Sequence, residues 1–331
     1  MKIGNLDLGE RPLLLAPMED VTDVSFRVLC REQGADMVYT EFVNSDGLVR
    51  DVPKTIAKMH TLEEEAPVGI QIYGQHPDAM VEAARMADRA AELAGGHGAD
   101  LVDINFGCPV SKIAGRGAGS GMMREPDKMV AITKAVVEAV GKPVTVKTRL
   151  GWDENSKIIV ELAERLQDVG IRAITIHGRT RCQLYKGSAD WTLIGAVKAN
   201  PRMHIPVIGN GDITDGPSAR EAFARWGVDG VMVGRATFGH PWIFREIKYF
   251  LEHGEPMPPL SVAEKVALAR RHLALSLQYK GEPRGIYEMR RHLSCYFKGL
   301  PDFRDTRMRM VTTLDTAELY DILDSIEKRY D

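Results

Sequence analysis

The stretch Ala99-Asp-Leu-Val-Asp-Ile-Asn-Phe-Gly-Cys-Pro109 decides how this chain is read. A largely apolar run, rich in Leu, Val and Ile, gives way to a glycine-containing turn that carries Asn105 and Cys108. Apolar runs without strict alternation are what strands look like when both faces of a parallel sheet are covered. A cysteine just before a proline, at the C-terminal end of such a strand, is poorly placed for packing and well placed to reach into a pocket. Taken alone, the segment is equally a tight turn with a half-buried thiol. Its neighbours along the chain decide between the two.

Seven more runs of the same kind occur between residues 12 and 240: Leu13–Met18, Met37–Phe42, Val68–Gly74, Val144–Leu150, Ala173–His177, Pro206–Asn210 and Gly230–Gly234. Amphipathic stretches separate most of them. Pro77–Leu93, Pro126–Val140 and Asn155–Val169 each stop at or near a glycine (Gly95, Gly141, Gly170) as the next run begins, a usual helix C-terminal signal. Eight βα units of this length predict an α/β protein, a TIM (β/α)8 barrel. A doubly wound open sheet is the alternative. Its G-x-G-x-x-G fingerprint after the first strand is missing, since Ala16-Pro-Met-Glu-Asp-Val21 stands there.

From about residue 244 the strand pattern ends. Ser261-x-x-Glu264 reads as a capping box opening a helix that Gly281 closes. A second helix is expected over roughly 285–298 and a last one from Asp315. The barrel is therefore followed by a small all-α helical domain. The expected division is a catalytic barrel at 1–243 and a helical domain at 244–331, with Pro256-Met-Pro-Pro259 as linker.

Composition bounds the remaining possibilities. At 331 residues, 44% hydrophobic and 27% charged, the chain reads as a soluble globular protein rather than a collagen-like or disordered one. It has no apolar run long enough for a membrane span and no apolar core near Met1 of the kind a signal peptide has. Cys30, Cys108, Cys182 and Cys295 lie far apart without C-x-x-C spacing. That pattern argues against a zinc site or a disulfide framework and for a reducing cytoplasm. No exposed apolar stripe stands out, so a monomer without an obligate protein partner is expected. Net charge is −3, yet residues 265–309 hold eleven Lys/Arg and four acids, a local +7 that leaves −10 for the rest. Such asymmetry points to a polyanionic partner for one region, the bland alternative being a solvated helical face.

In a barrel, strand C-terminal ends share one mouth. Here that position collects Ala16, Pro17 and Met18, then Glu41, Gln71, Asn105 with Cys108, Lys147 with Arg149, and His177 with Arg179. Asn210, Gly211 and Asp212 follow on strand seven, with Gly234 and Arg235 on strand eight. So many polar ends on apolar strands are hard to explain by stability, because each needs a partner to offset desolvation. The pair of glycine-rich ends on strands seven and eight is where a barrel binds phosphate. Lys147 is open to three readings: a Schiff base, the support of an anionic cofactor such as a reduced flavin, or a plain ion pair. Under the flavin reading, Gln71 reaches the ring's pyrimidine edge and Pro17-Met18 packs on a face.

These motifs together resemble the tRNA-dihydrouridine synthases, and the bacterial B-type branch most. The resemblance covers almost the whole chain. It rests on Ala-Pro-Met at 16–18, Thr-Asp-Val-Ser-Phe-Arg at 22–27, Asp-Ile-Asn-Phe-Gly-Cys-Pro at 103–109 and Lys-Thr-Arg at 147–149. It continues in Ile-His-Gly-Arg-Thr-Arg at 176–181, Ile-Gly-Asn-Gly-Asp-Ile at 208–213, Gly-Arg at 234–235 and Gly-His-Pro-Trp-Ile-Phe-Arg at 239–245. It implies reduction of the uracil C5=C6 bond of uridines in tRNA, with FMN as cofactor and NADPH (or NADH) as reductant. It implies that Cys108 is the general acid and that Asn105 orients the uracil. Ala16, Pro17, Met18, Gln71, Lys147, His177, Asn210, Gly211, Asp212, Gly234 and Arg235 are then expected to hold FMN. Arg149 and Arg179 are expected near the substrate uridine or the cofactor. Arg290, Arg291 and Lys298 are the expected phosphate contacts, the last two being seven residues apart and so on one helix face. The loop Ala114-Gly-Arg-Gly-Ala-Gly-Ser-Gly121 is expected to close over an extruded base. The rival reading is an FMN-dependent oxidoreductase of a free pyrimidine such as dihydroorotate, which has no need of a basic helical tail. An aldolase-type lyase using Lys147 and a non-enzymatic RNA-binding protein are the further alternatives.

Overall fold

Parallel strands form at all eight apolar runs, and the computed structural model describes residues 1–331. The strands are β1 (Leu13–Leu15), β2 (Val38–Tyr39), β3 (Val68–Tyr73), β4 (Leu101–Asn105), β5 (Val144–Arg149), β6 (Ala173–His177), β7 (Val207–Asn210) and β8 (Gly230–Val233). Each pairs with its neighbours in sequence, and β8 pairs with β1. The Leu14–Met37 bridge between β1 and β2 closes the ring. The fold is the expected α/β barrel. A short antiparallel hairpin, Lys2–Ile3 with Leu6–Asp7, precedes β1.

Several strands stop short of the apolar run, for local reasons. In β1, Pro17 has no N–H to continue a ladder, so Ala16-Pro-Met18 turns into the mouth instead. The second run breaks after Tyr39 and resumes as Val43–Asn44, which pairs with Ile72–Tyr73. The helix expected over 77–93 divides at Arg89 into Pro77–Asp88 and Ala90–Ala94. The helix expected from Asn155 starts only at Ile159, because the Ile158 and Ile159 N–H groups are drawn to the Leu150 carbonyl.

The helical tail has its own apolar core, built by Leu260, Val266, Leu273, Ile286, Leu293 and Leu323 among others. Its helices are Val262–Lys280, Arg284–Tyr296, Arg304–Thr312 and Thr316–Tyr330. The Ser261–Glu264 capping box forms as read. The Arg304–Thr312 helix was not foreseen: it buries only Met310, so its apolar periodicity is nearly blank. The helix Ile243–His253 sends Ile243, Phe244 and Ile247 into the barrel core. The two cores interleave at the expected 243/244 division: Trp242 packs in the tail's core, while Ile243, Phe244 and Ile247 pack in the barrel's. No helix is long and apolar enough to cross a membrane.

The two units meet along the barrel helix Val24–Glu32. Its Phe26 ring lies 5.3 Å from His272 and 4.3 Å from His292, both on tail helices. Beside them Lys280 of the tail binds Asp23 of the barrel. Burial holds both imidazoles neutral: His272 is far below its ordinary pKa, and His292 is pushed down to about 4. An unfolded histidine titrates near pH 6.5. As pH drops below about 6.5 the unfolded chain takes up protons that the folded chain refuses, so stability falls between pH 6.5 and about 4. The melting temperature is therefore expected to decline over that window, and His292→Gln is expected to show a shallower decline. Equal slopes for both proteins would contradict the assignment.

Candidate active site

At the C-terminal ends of the strands lies a cavity of about 590 Å³, within the range of cofactor and substrate sites. Ala16, Pro17 and Met18 line it beside Gly234 and Arg235, and Asn210 to Asp212 continue the glycine-rich end. Asn105, Cys108, Lys147, Arg149 and His177 line it as well. Fourteen of the eighteen sequence-predicted site residues converge there, Arg291 of the helical tail included.

Cys108 sits where β4 turns into its loop. The Asn105 side-chain oxygen accepts the N–H groups of Gly107 and Cys108, both at 2.9 Å. The Asn105 amide nitrogen donates to Gln71 Oε1 at 2.8 Å. From the other side, Ser120 donates its hydroxyl and its N–H to the Cys108 carbonyl. Burial pushes the thiol's pKa up, so it stays protonated at neutral pH. In the glycine-rich loop, Gly115 and Arg116 are exposed, whereas Gly119 to Met123 are buried; at Gly119, which holds φ +54, a Cβ would lie 3.0 Å from the Cys108 carbonyl oxygen.

Lys147 lies on β5, two residues before its end, with its ammonium 3.3 Å from Asn210 Oδ1. No carboxylate pairs with it. Burial, and then the Arg149 charge, lower its pKa to about 8, so it remains mostly charged at pH 7. A half-satisfied buried ammonium facing a cavity suits an anionic or electron-rich ligand. His177 is neutral: burial, and then Arg149, Lys147, Arg179 and Arg235, hold its pKa well below the ordinary value. The Arg179 guanidinium lies 3.3 Å from His177 Nε2. A guanidinium only donates, so Nε2 accepts and the ring proton sits on Nδ1. Arg149 is fixed by the carbonyls of Gly107, Thr180 and Leu184 at 2.7 to 2.9 Å.

Four predicted residues lie elsewhere. Gln71 is fully buried, bound to Asp103 and Asn105. Strand β3 runs two residues beyond it, so Gln71 occupies a layer below the mouth rather than the strand's end. Arg179 is spent on the carbonyls of Lys186 and Gly187 and on Asp212 at 2.8 Å, which makes it a brace for the His177 and Asp212 loops. Arg290 turns its guanidinium to the Thr312 carbonyl, because adjacent helix positions cannot both face one cavity. Lys298 lies beyond the end of its helix at Tyr296, and it lines a neighbouring hollow of about 450 Å³ with Arg235 and Lys265.

The sequence reading missed Tyr185, whose half-exposed ring faces Arg149 at 5.6 Å and Arg235 at 5.0 Å. Its signal was an aromatic residue in the loop after β6, among several basic ones. Glu19, Phe42 and Phe238 also line the cavity.

Fold and cavity together are those of a TIM barrel with a polar cavity at the carboxyl ends of its strands. A family model described as dihydrouridine synthase matches residues 14–328, and the chain belongs to that family. It is 40% identical to tRNA-dihydrouridine synthase B of Vibrio cholerae over 331 residues, covering 100% of this chain and 99% of that one. It is 42% identical to a probable tRNA-dihydrouridine synthase 1 of Synechocystis, covering 98% and 88%. Among solved structures, a 2-naphthoyl-CoA reductase complex superposes with TM-score 0.55 at 12% identity. That match covers 77% of this chain and 52% of the other, so the chain spans about half of it and the likeness is one of fold.

Proposed function

We propose that the protein reduces the C5=C6 bond of a uridine in tRNA to 5,6-dihydrouridine, with FMN as bound flavin and NADPH as reductant, in the cytoplasm. The observation that carries this reading is that Arg291, from the basic tail, lines the same cavity as Cys108 and Lys147. A free pyrimidine needs no such contribution. A base extruded from a folded RNA leaves its phosphates against the tail. The names of the relatives support the same substrate.

The residues present fit a flavin. Lys147 is a buried cation with one neutral partner, and Arg235 stands half-exposed at the glycine-rich end, where a phosphate would lie. Gly234 lies against Ala16 and Met18, so a side chain there would touch both and take up part of the cavity wall. Met18, Lys147, His177, Asn210, Gly211 and Arg235 would hold the group. When bound and reduced, FMN supplies the hydride for the uracil ring.

The chain's own groups do the rest. Cys108 keeps its proton on Sγ, raised in pKa by burial, and delivers it to C5 of the uracil as general acid. Lys147 and the neutral His177 favour negative charge beside them without taking the thiol's proton. Arg149 holds the Gly107 carbonyl and so the shape of the loop that carries Cys108. Arg291 and Lys298 hold RNA phosphates.

The reading is tested by mixing the anaerobically reduced holoenzyme with tRNA lacking dihydrouridine. Flavin reoxidation with dihydrouridine appearing in the RNA is the expected result. Reoxidation by free uracil or orotate but not by tRNA would overturn it. Separately, Arg291→Ala is expected to lower the salt slope of tRNA binding by about 0.7–0.9, one phosphate contact, with the flavin spectrum unchanged. Arg290→Ala is expected to leave that slope alone, and equal effects from both variants would contradict the placement of Arg291.

A further inference from the structure

We infer that Asp103 and Gln71 are positioning residues for Cys108, acting through a one-directional relay of hydrogen bonds that runs up the barrel interior to Asn105. The inference rests on the reading of Cys108 as the proton donor.

The relay begins at the Asp103 carboxylate, on β4 and 1% exposed. Register sets Asp103 beside Gln71 of β3 and Thr145 of β5. Gln71 Nε2 donates to one carboxylate oxygen at 2.6 Å, and the Thr145 hydroxyl donates to the other at 2.5 Å. An ionised carboxylate only accepts. Gln71 must therefore turn its NH2 group toward Asp103 and its oxygen away. That oxygen accepts the Asn105 amide N–H at 2.8 Å. Asn105 must then turn its own oxygen to the loop, where it takes the N–H groups of Gly107 and Cys108. One acceptor-only group thus fixes the orientation of two amides and the backbone of the reactive cysteine. Reversing either amide would set N–H against N–H in a buried site and leave those donors without acceptors.

The carboxylate has no ion-pair partner among the barrel's basic groups. The charged or titratable groups facing it are Lys147 on β5 and the Tyr39 hydroxyl on β2. Burial, the largest influence, raises its pKa to about 6. A buried carboxylate held only by an amide and a hydroxyl destabilises a barrel core relative to apolar packing. Its geometry fits a role in setting the direction of the relay.

The test uses the full-length holoenzyme in a Cys182→Ser background, which removes the exposed thiol. Iodoacetamide labelling of Cys108 is followed by mass spectrometry, and single-turnover reduction of tRNA is measured in parallel. In Gln71→Glu, two acceptor-only groups face each other at pH 8.5. Labelling is then expected to exceed that of the parent on the order of tenfold, the loss of one buried hydrogen bond. As pH falls toward 6.5 the two carboxylates share a proton, the relay re-forms, and the variant-to-parent ratio returns toward one. Asp103→Asn, which can show its oxygen to Gln71 and its NH2 to the Thr145 hydroxyl, is expected to behave as the parent does, whereas Asp103→Leu labels fast at every pH. A ratio in Gln71→Glu that does not change with pH, or parental labelling in Asp103→Leu, would overturn the relay. Labelling does not depend on tRNA. Altered labelling with untouched turnover would therefore sink the role of Cys108 in the reaction rather than the relay.

Discussion

Two backbone N–H groups, those of Gly107 and Cys108, share the side-chain oxygen of Asn105, and the site is built on that bond pair. It turns the end of β4 so that a thiol faces the cavity instead of packing into the wall. Below it, Gln71 and Asp103 hold the asparagine from the barrel interior. Behind it, Ser120 grips the Cys108 carbonyl. Beside it, Arg149 grips the Gly107 carbonyl. A cysteine held from three directions cannot wander, and a general acid is only as useful as its aim.

The electrostatics of the cavity follow from burial more than from pairing. Lys147, Arg149 and Arg235 bring positive charge, while only Asp212 and Glu19 line the space with negative charge. Asp212 is occupied by Arg179 and Arg235. Burial first, and this field second, keep His177 neutral, and the field favours an anionic ligand over a cationic one. The same field meets the helical tail at Arg291, so the tail's basic surface is continuous with the cavity. The tail is fixed to the barrel by the Phe26, His272 and His292 rings and the Asp23–Lys280 pair. Its orientation is therefore set by a buried interface rather than by a loose linker.

Much of this was legible in the chain. The eight apolar runs carry the barrel, because strands buried on both faces have little freedom in composition. The strand-end residues carry the cavity, because the architecture brings those positions together wherever they fall in sequence. What stayed hidden depends on depth and on direction. Gln71 was expected at the mouth, and whether a strand residue stands at the rim or one layer down depends on where its own strand ends. Arg179 reads as a ligand-binding cation in sequence, yet three nearby acceptors claim it. Arg290 and Arg291 are indistinguishable in composition, and only the helix phase separates them. The glycines at 115–121 read as a flexible loop, yet each makes its own close approach: Gly115 to Ser111, Gly117 to Gln75, Gly119 to Cys108 and Gly121 to Ala114. The Arg304–Thr312 helix carries too few apolar residues to announce itself.

The account stands on Cys108 as the group that delivers the proton. The most direct measurement is the single-turnover rate of reduced Cys108→Ala holoenzyme with dihydrouridine-free tRNA, alongside its flavin absorbance. An intact flavin spectrum with the rate lowered by about 100-fold or more is the predicted result, in line with the loss of a general acid. A rate near that of the unsubstituted enzyme would contradict the account, since the thiol would then be held so firmly for some other purpose.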